Sequence, residues 1–269
     1  MFLLSLVLVS IFAGPTAHAA TYISQHRGFD ACSAPSKSQM STWWTNSTFW
    51  NVFVYLGGSN RSCGQPNLTP SWVDTVNSQG WQIVFIWVGR QMPYGNCQTK
   101  QPYNDYISLN TSTAHTQGVN AAQDAVAALS ALNVSIYGTP IVYDLEGYNG
   151  GSGCRAAAKS FAKGWADYLQ QYPAQKSGVY GSDCSSYVDD FAHDGNPPNF
   201  IWPAAWGKPK TTEHIQCISD GHWTHHQRHK QYRGGHSETH GGVTISIDSD
   251  CSDGPVFGTR GNDYGGPCV

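Results

Sequence analysis

The stretch Pro140-Ile141-Val142-Tyr143-Asp144-Leu145-Glu146-Gly147 is an apolar run that ends in two carboxylates spaced two residues apart. Its first half has the β-branched and aromatic composition of a buried strand. Side chains alternate along a strand, so Asp144 and Glu146 point to the same face. In a (β/α) barrel, the C-terminal ends of the strands are where active sites are assembled. Two carboxyls held close in partly apolar surroundings cannot both ionise freely: one is expected to have a raised pKa and act as a general acid beside a charged partner. Glycoside hydrolysis requires such a pair. A plainer reading of the triplet stands beside this one, with Asp144 capping the next helix and Glu146 solvated in a loop.

Outward from this run, short apolar, β-rich segments recur at 22–30, 51–57, 81–88, 136–145, 177–181, 200–206, 226–232 and 243–247, eight in all. Between them lie Ala- and Ser-rich stretches of helical spacing, with Val119, Ala122, Val126 and Leu129 in 112–132 and Ala158, Phe161, Trp165 and Leu169 in 154–172. That alternation marks βα units around a parallel sheet and predicts an α/β protein built as a TIM-like (β/α) barrel. From Ile215 onward, strands joined by Gly- and His-rich loops leave little room for the last helices, so the barrel is expected to be irregular in its C-terminal third. Without an internal repeat or a Pro- or Ser-rich linker, residues 21–269 read as one domain. An open flavodoxin-like sheet is the alternative, although Gly57-Gly58 lacks the G-x-G-x-x-G spacing of a phosphate loop.

Two more segments finish in acids, Arg27-Gly28-Phe29-Asp30 and Ile245-Ser246-Ile247-Asp248. In a closed eight-strand barrel, the first and last strands are neighbours and the fourth lies across from them. Asp30, Asp144, Glu146 and Asp248 are therefore expected to ring one pocket. An N-cap ahead of Ala31 and Ser33 is the competing role for Asp30.

The N-terminal run from Met1 to Ala13, followed by Gly14-Pro15 and Ala17-His18-Ala19, reads as a signal peptide over residues 1–20, cleaved after Ala19 or Ala20. It is shorter than a membrane span, and no later segment is longer and uncharged, so no membrane anchor is expected. All eight cysteines are dispersed through the mature chain, which favours disulfides over zinc but leaves 105 pairings open. Asn46, Asn60, Asn67, Asn110 and Asn133 head N-x-[ST] sequons. With a net charge of −3 and only 12% charged residues, the chain carries no electrostatic footprint for nucleic acid or anionic membranes. A monomer, secreted to the extracellular space or cell wall, is the expectation.

Six short motifs, taken in order, carry a family resemblance: Gly28-Phe29-Asp30, Asn51-Val52-Phe53-Val54-Tyr55-Leu56-Gly57-Gly58, Tyr143-Asp144-Leu145-Glu146, Gly178-Val179-Tyr180-Gly181, Lys230-Gln231-Tyr232 and Ile247-Asp248. Together they resemble the strand ends of the DUF1906 proteins, the Rv2525c-like glycoside hydrolase-like domain, which is similar in turn to family 25 lysozymes. The resemblance spans essentially the whole mature chain. It implies a TIM-like barrel acting on a polysaccharide, with Glu146 as the acid and Asp144 as its partner. Asp30, Tyr55, Gln231 and Asp248 would then line the substrate pocket. In the lysozyme family the substrate is an N-acetylated glycan whose acetamido group assists. This chain departs from that pattern at Asp248-Ser249-Asp250-Cys251, where the lysozymes have Asp-x-Asn, and over 222–240.

Trp87, Tyr180 and Trp206, near strand ends, are candidate sugar platforms, both for an enzyme and for the rival reading of a glycan-binding protein that does not turn over. His222, His225, His226, His229, His236 and His240 crowd the C-terminal third, but a metal site needs three or four convergent ligands, and sequence spacing identifies no such set. No metal or other cofactor is therefore expected. Gly181-Ser182-Asp183 is not a nucleophile elbow, and an oxidised, even-cysteine chain is a poor thiol catalyst.

Overall fold

A computed structural model describes residues 20–98, 103–172, 176–193, 195–265 and 268. The signal peptide read over residues 1–20 lies outside them except for Ala20. The strands are β1 (Ala20–Ser24), β2 (Arg27–Asp30), β3 (Phe49–Gly57), β4 (Gln82–Trp87), β5 (Pro140–Asp144), β6 (Lys176–Ser182), β7 (Phe200–Ala204), β8 (Arg228–His240) and β9 (Val243–Gly258). β2 to β8 pair side by side and in parallel. β9 runs antiparallel between β8 and β2 and closes an eight-stranded barrel. The expected first strand is two pieces, β1 and β2, both paired to β9.

Alternation along the strands builds two cores. Phe53, Val84, Ile86, Val142, Phe200 and Trp202 fill the barrel, while Val52, Ile83, Phe85 and Ile141 face the helices. α3 (Thr111–Ala131) and α4 (Ser152–Leu169) form where the apolar spacing places them. They approach closely enough that a Cβ on Gly118 would clash with the Phe161 carbonyl oxygen. α1 (Lys37–Asn46) and α2 (Pro70–Gln79) were not anticipated. Their Ser-, Thr- and Trp-rich sequences lack a clean apolar stripe, yet their caps were readable: Ser36 and Gln39 form a capping box, and Thr69 caps α2 ahead of Pro70.

The C-terminal third is irregular, as expected. A 3-10 turn (Val188–His193) follows β6, residues 205–227 after β7 hold no helix, and β8 returns directly into β9 through Gly241 and Gly242, both at positive φ. The last strand differs from the expectation. Asp248 is not a strand end but an interior residue of the antiparallel β9, whose first part forms with β8 a long two-stranded arm. A stretch rich in His, Gly, Ser and Thr gives little apolar contrast between its two faces, so neither its length nor its direction is legible.

All eight cysteines are paired, as Cys32–Cys63, Cys97–Cys154, Cys184–Cys217 and Cys251–Cys268. Three of these bonds follow one pattern: each joins the segment after one parallel strand to the segment after the next. Cys32 and Cys63 follow β2 and β3, Cys97 and Cys154 follow β4 and β5, and Cys184 and Cys217 follow β6 and β7. Covalent ties thus hold the C-terminal rim, the end that presents the acids. No helix among the described residues is long and apolar enough to cross a membrane.

Candidate active site

The last residue of β2 is Asp30 and the last of β5 is Asp144, so parallel strands deliver two carboxyls to one end of the barrel. Glu146 follows one residue beyond Leu145, and β9 brings Asp248 opposite Asp30 as its register partner. All four line one cleft of about 700 Å³, together with Tyr55, Val88 and Tyr103. One wall is the loop pair bridged by Cys32–Cys63, and the other is the β9 side of the arm, Thr244 to Ile247.

The capping roles weighed for the acids do not occur. The N-cap of α1 is Ser36 and that of α4 is Gly151. Asp30 instead accepts hydrogen bonds from Tyr55 Oη at 3.0 Å and Gln231 Nε2 at 2.8 Å. Despite these donors, burial and then the Asp248 charge raise its carboxyl to about 7. Asp144 is only 5% exposed, and burial, then Glu146, then Asp30 push its carboxyl well above the usual range. Its Oδ1 has no hydrogen-bond partner. Arg90 and Arg155 do not neutralise the pair: Arg90 is held by Asp105 and Arg155 by Asp190. Burial, then Glu146 and Asp144, lift the Tyr103 phenol to about 12.

Gln91, which had not been singled out, fixes the backbone of the pair. Its Nε2 donates to the Asp144 carbonyl at 2.7 Å, and its Oε1 accepts from the Glu146 N–H at 2.8 Å. One buried amide thus continues the β4–β5 ladder beyond the strands, where no local motif advertises it.

The named aromatic residues separate. Tyr180 lies inside the barrel, 8% exposed, and packs on Trp202. Trp206 is 58% exposed on the rim. Tyr180 Oη and Trp206 Nε1 both donate to Gln231 Oε1, at 3.2 and 2.8 Å, so Gln231 links them to Asp30. Trp87 is not brought to the cleft. It packs with the outward-facing set of β4, against the helix-side core, while Val88 takes the cleft position; the expectation of a platform there is corrected by strand parity. In the sequence, Asp250 marks only a departure from the lysozyme pattern. It is fully buried, accepts from Trp202 Nε1 at 2.9 Å, and burial followed by the Asp30 charge raises its carboxyl well above the usual range.

The chain is thus a closed α/β barrel with acids clustered at its C-terminal rim. Residues 41–252 match the Rv2525c-like, glycoside hydrolase-like domain, and the chain belongs to that family. Among solved structures it is similar to an uncharacterised protein of B. stearothermophilus, at 14% identity, with a TM-score of 0.53 over 84% of this chain and 94% of that one. It is similar as well to the Clostridium perfringens spore cortex lytic enzyme SleM, at 14% identity and a TM-score of 0.54, over 84% of this chain and 66% of that one. A family 25 glycosyl hydrolase from Bacillus anthracis aligns at 14% identity with a TM-score of 0.49, over 93% of this chain and 96% of that one. The sequence matches no curated protein.

Proposed function

We propose that this is a secreted glycoside hydrolase that cleaves an N-acetylated cell-wall or extracellular polysaccharide, with Glu146 as general acid and Asp144 as its partner. The observation that carries the reading is the convergence of Asp30, Asp144, Glu146 and Asp248 on one open cleft at the barrel rim. Such a cleft suits a chain-like substrate crossing the strand ends. Glu146, less buried than Asp144, is the member that a glycosidic oxygen reaches. The deeper Asp144 has its carboxyl pushed well above the usual range by burial, then Glu146, then Asp30, which makes it a store for the proton that Glu146 delivers. The pair shares one proton, which passes through Glu146 to the glycosidic oxygen and leaves Asp144 as the carboxylate beside the positive charge that develops at the sugar carbon. Trp206, at the rim, supplies a flat face for a further sugar ring.

Secretion is supported by the apolar leader sequence and by eight cysteines that are all paired. The test is reducing-end release from peptidoglycan, chitin, galactosaminoglycan and glucan preparations. Release from an N-acetylated polymer supports the reading; tight binding of such a polymer with no release by any preparation replaces it with the glycan-binding one.

A further inference from the structure

Outside the carboxylate cleft, one cluster joins metal-ligating side chains from two segments that the strands alone leave apart. Asp189 and His193 lie on the 3-10 turn Val188–His193, and His222 comes from the helix-free stretch after β7. His222 Nδ1 is 2.7 Å from Asp189 Oδ1, and the His193 ring stands edge-on to the His222 ring with centroids 4.9 Å apart. One ligand atom from each residue lies within 4.8 Å of the other two. We propose that Asp189, His193 and His222 form a binding site for a divalent transition-metal ion of the zinc type, which fastens the loop after β7 to the turn after β6.

The donor set selects the class of ion. Two imidazoles and one carboxylate suit zinc and its borderline neighbours, whereas calcium and magnesium take all-oxygen shells. Bonds of roughly 2.0–2.2 Å in tetrahedral geometry put ligand atoms about 3.3–3.5 Å apart, so small side-chain rotations bring these three onto one ion, with water completing the shell. The two segments are already positioned. Cys184–Cys217 joins them, Asp189 lying five residues beyond one half-cystine and His222 five beyond the other. Ser219 N–H donates to Asp189 Oδ1 at 3.0 Å, orienting the carboxylate, and Trp223, next to His222, is anchored by its indole N–H on the Pro198 carbonyl at 2.8 Å. Nearby charges are engaged elsewhere: Asp190 holds Arg155, and the Arg228 guanidinium donates to the His222 carbonyl rather than to its ring. His226 is committed to Asp253 at 2.6 Å and does not join the cluster. None of the three ligands lines the carboxylate cleft, so the ion acts on the loop and not on the glycan.

The experiment uses the oxidised mature protein, stripped with chelator, and titrates it with Zn²⁺ by calorimetry and with Co²⁺ by visible absorption at pH 7.5. One strong site, a Co²⁺ ligand-field band displaced by Zn²⁺, and a rise in melting temperature with excess Zn²⁺ are expected. His193→Ala removes an exposed ligand without opening the core; it should weaken Zn²⁺ at least tenfold and abolish the band, while His225→Ala changes neither. Zn²⁺ binding that is unchanged in His193→Ala, or wild-type protein that takes up no Zn²⁺ below millimolar concentrations, overturns the proposal.

Discussion

Asp30 on β2 and Asp248 on β9 are direct register partners across an antiparallel pair, so the two carboxyls meet where the parallel run of the barrel closes. Asp30 is the more buried, with its carboxyl raised to about 7, and burial raises the Asp248 carboxyl as well. The folded protein therefore holds a proton that the unfolded chain, with its carboxyl near 3.8, has released. That contribution is fully present below about pH 4 and is lost as pH rises through about 7. Asp144 and Asp250, also raised, act in the same direction. Asp167, lowered to about 2 by Lys163, His115 and Asn196 against the opposing effect of burial, loses its contribution only as pH falls below about 4. Melting temperature should thus peak at mildly acidic pH and decline towards pH 7.5. Asp248→Asn should flatten the decline by removing the neighbouring charge. A melting temperature that climbs steadily from pH 4.5 to 7.5 would contradict this assignment.

Gln91→Ala should cost about 1–3 kcal/mol of stability, because it strands a buried carbonyl on Asp144 and a backbone N–H on Glu146. Denaturant unfolding measures the stability loss. On a cleaved glycan, the same variant should lower kcat more than it raises KM, since the residue positions the acid pair and does not line the cleft. An unchanged kcat would show that the pair holds its geometry without the amide.

Tyr180→Ala and Trp206→Ala should part company. Emptying the buried Tyr180 site beside Trp202 should cost about 3–5 kcal/mol, whereas removing the exposed Trp206 ring should cost about 1 kcal/mol or less and weaken glycan binding. Thermal melts paired with glycan affinity electrophoresis separate the two effects. If Trp206→Ala binds glycan like the wild type, it is no platform.

The Cys32→Ala/Cys63→Ala double variant removes the bond between the loops after β2 and β3, which enclose one side of the cleft. With a sequence separation of 31, the chain-entropy loss is about 3–4 kcal/mol. Denaturant midpoints should fall accordingly, and affinity for the glycan should fall with them. Unaltered affinity would assign substrate contact to the opposite wall.

The barrel was legible because its strands announce themselves as apolar runs, and because 140–147 sets two acids on one face at a strand end. The same logic placed Asp30 and Asp248 in the pocket, although Asp248 arrives there from the middle of a reversed strand. What escaped the sequence depends on pairing and parity. The direction of β9 lies in its hydrogen bonds, the outward turn of Trp87 in a shift of one residue, and the grip of Gln91 on Asp144 and Glu146 in contacts 53 and 55 residues apart. Asp189, His193 and His222 come together beside the Cys184–Cys217 bond, one choice among many pairings.

Glu146 as the general acid is tested by comparing turnover and binding of Glu146→Gln with those of the wild-type protein on a glycan that the wild type cleaves. Gln keeps the shape and removes the transferable proton. The variant's kcat should fall roughly 10²- to 10⁴-fold, with glycan affinity and melting temperature nearly unchanged. Wild-type kcat in Glu146→Gln would contradict it and place the catalytic proton on another residue.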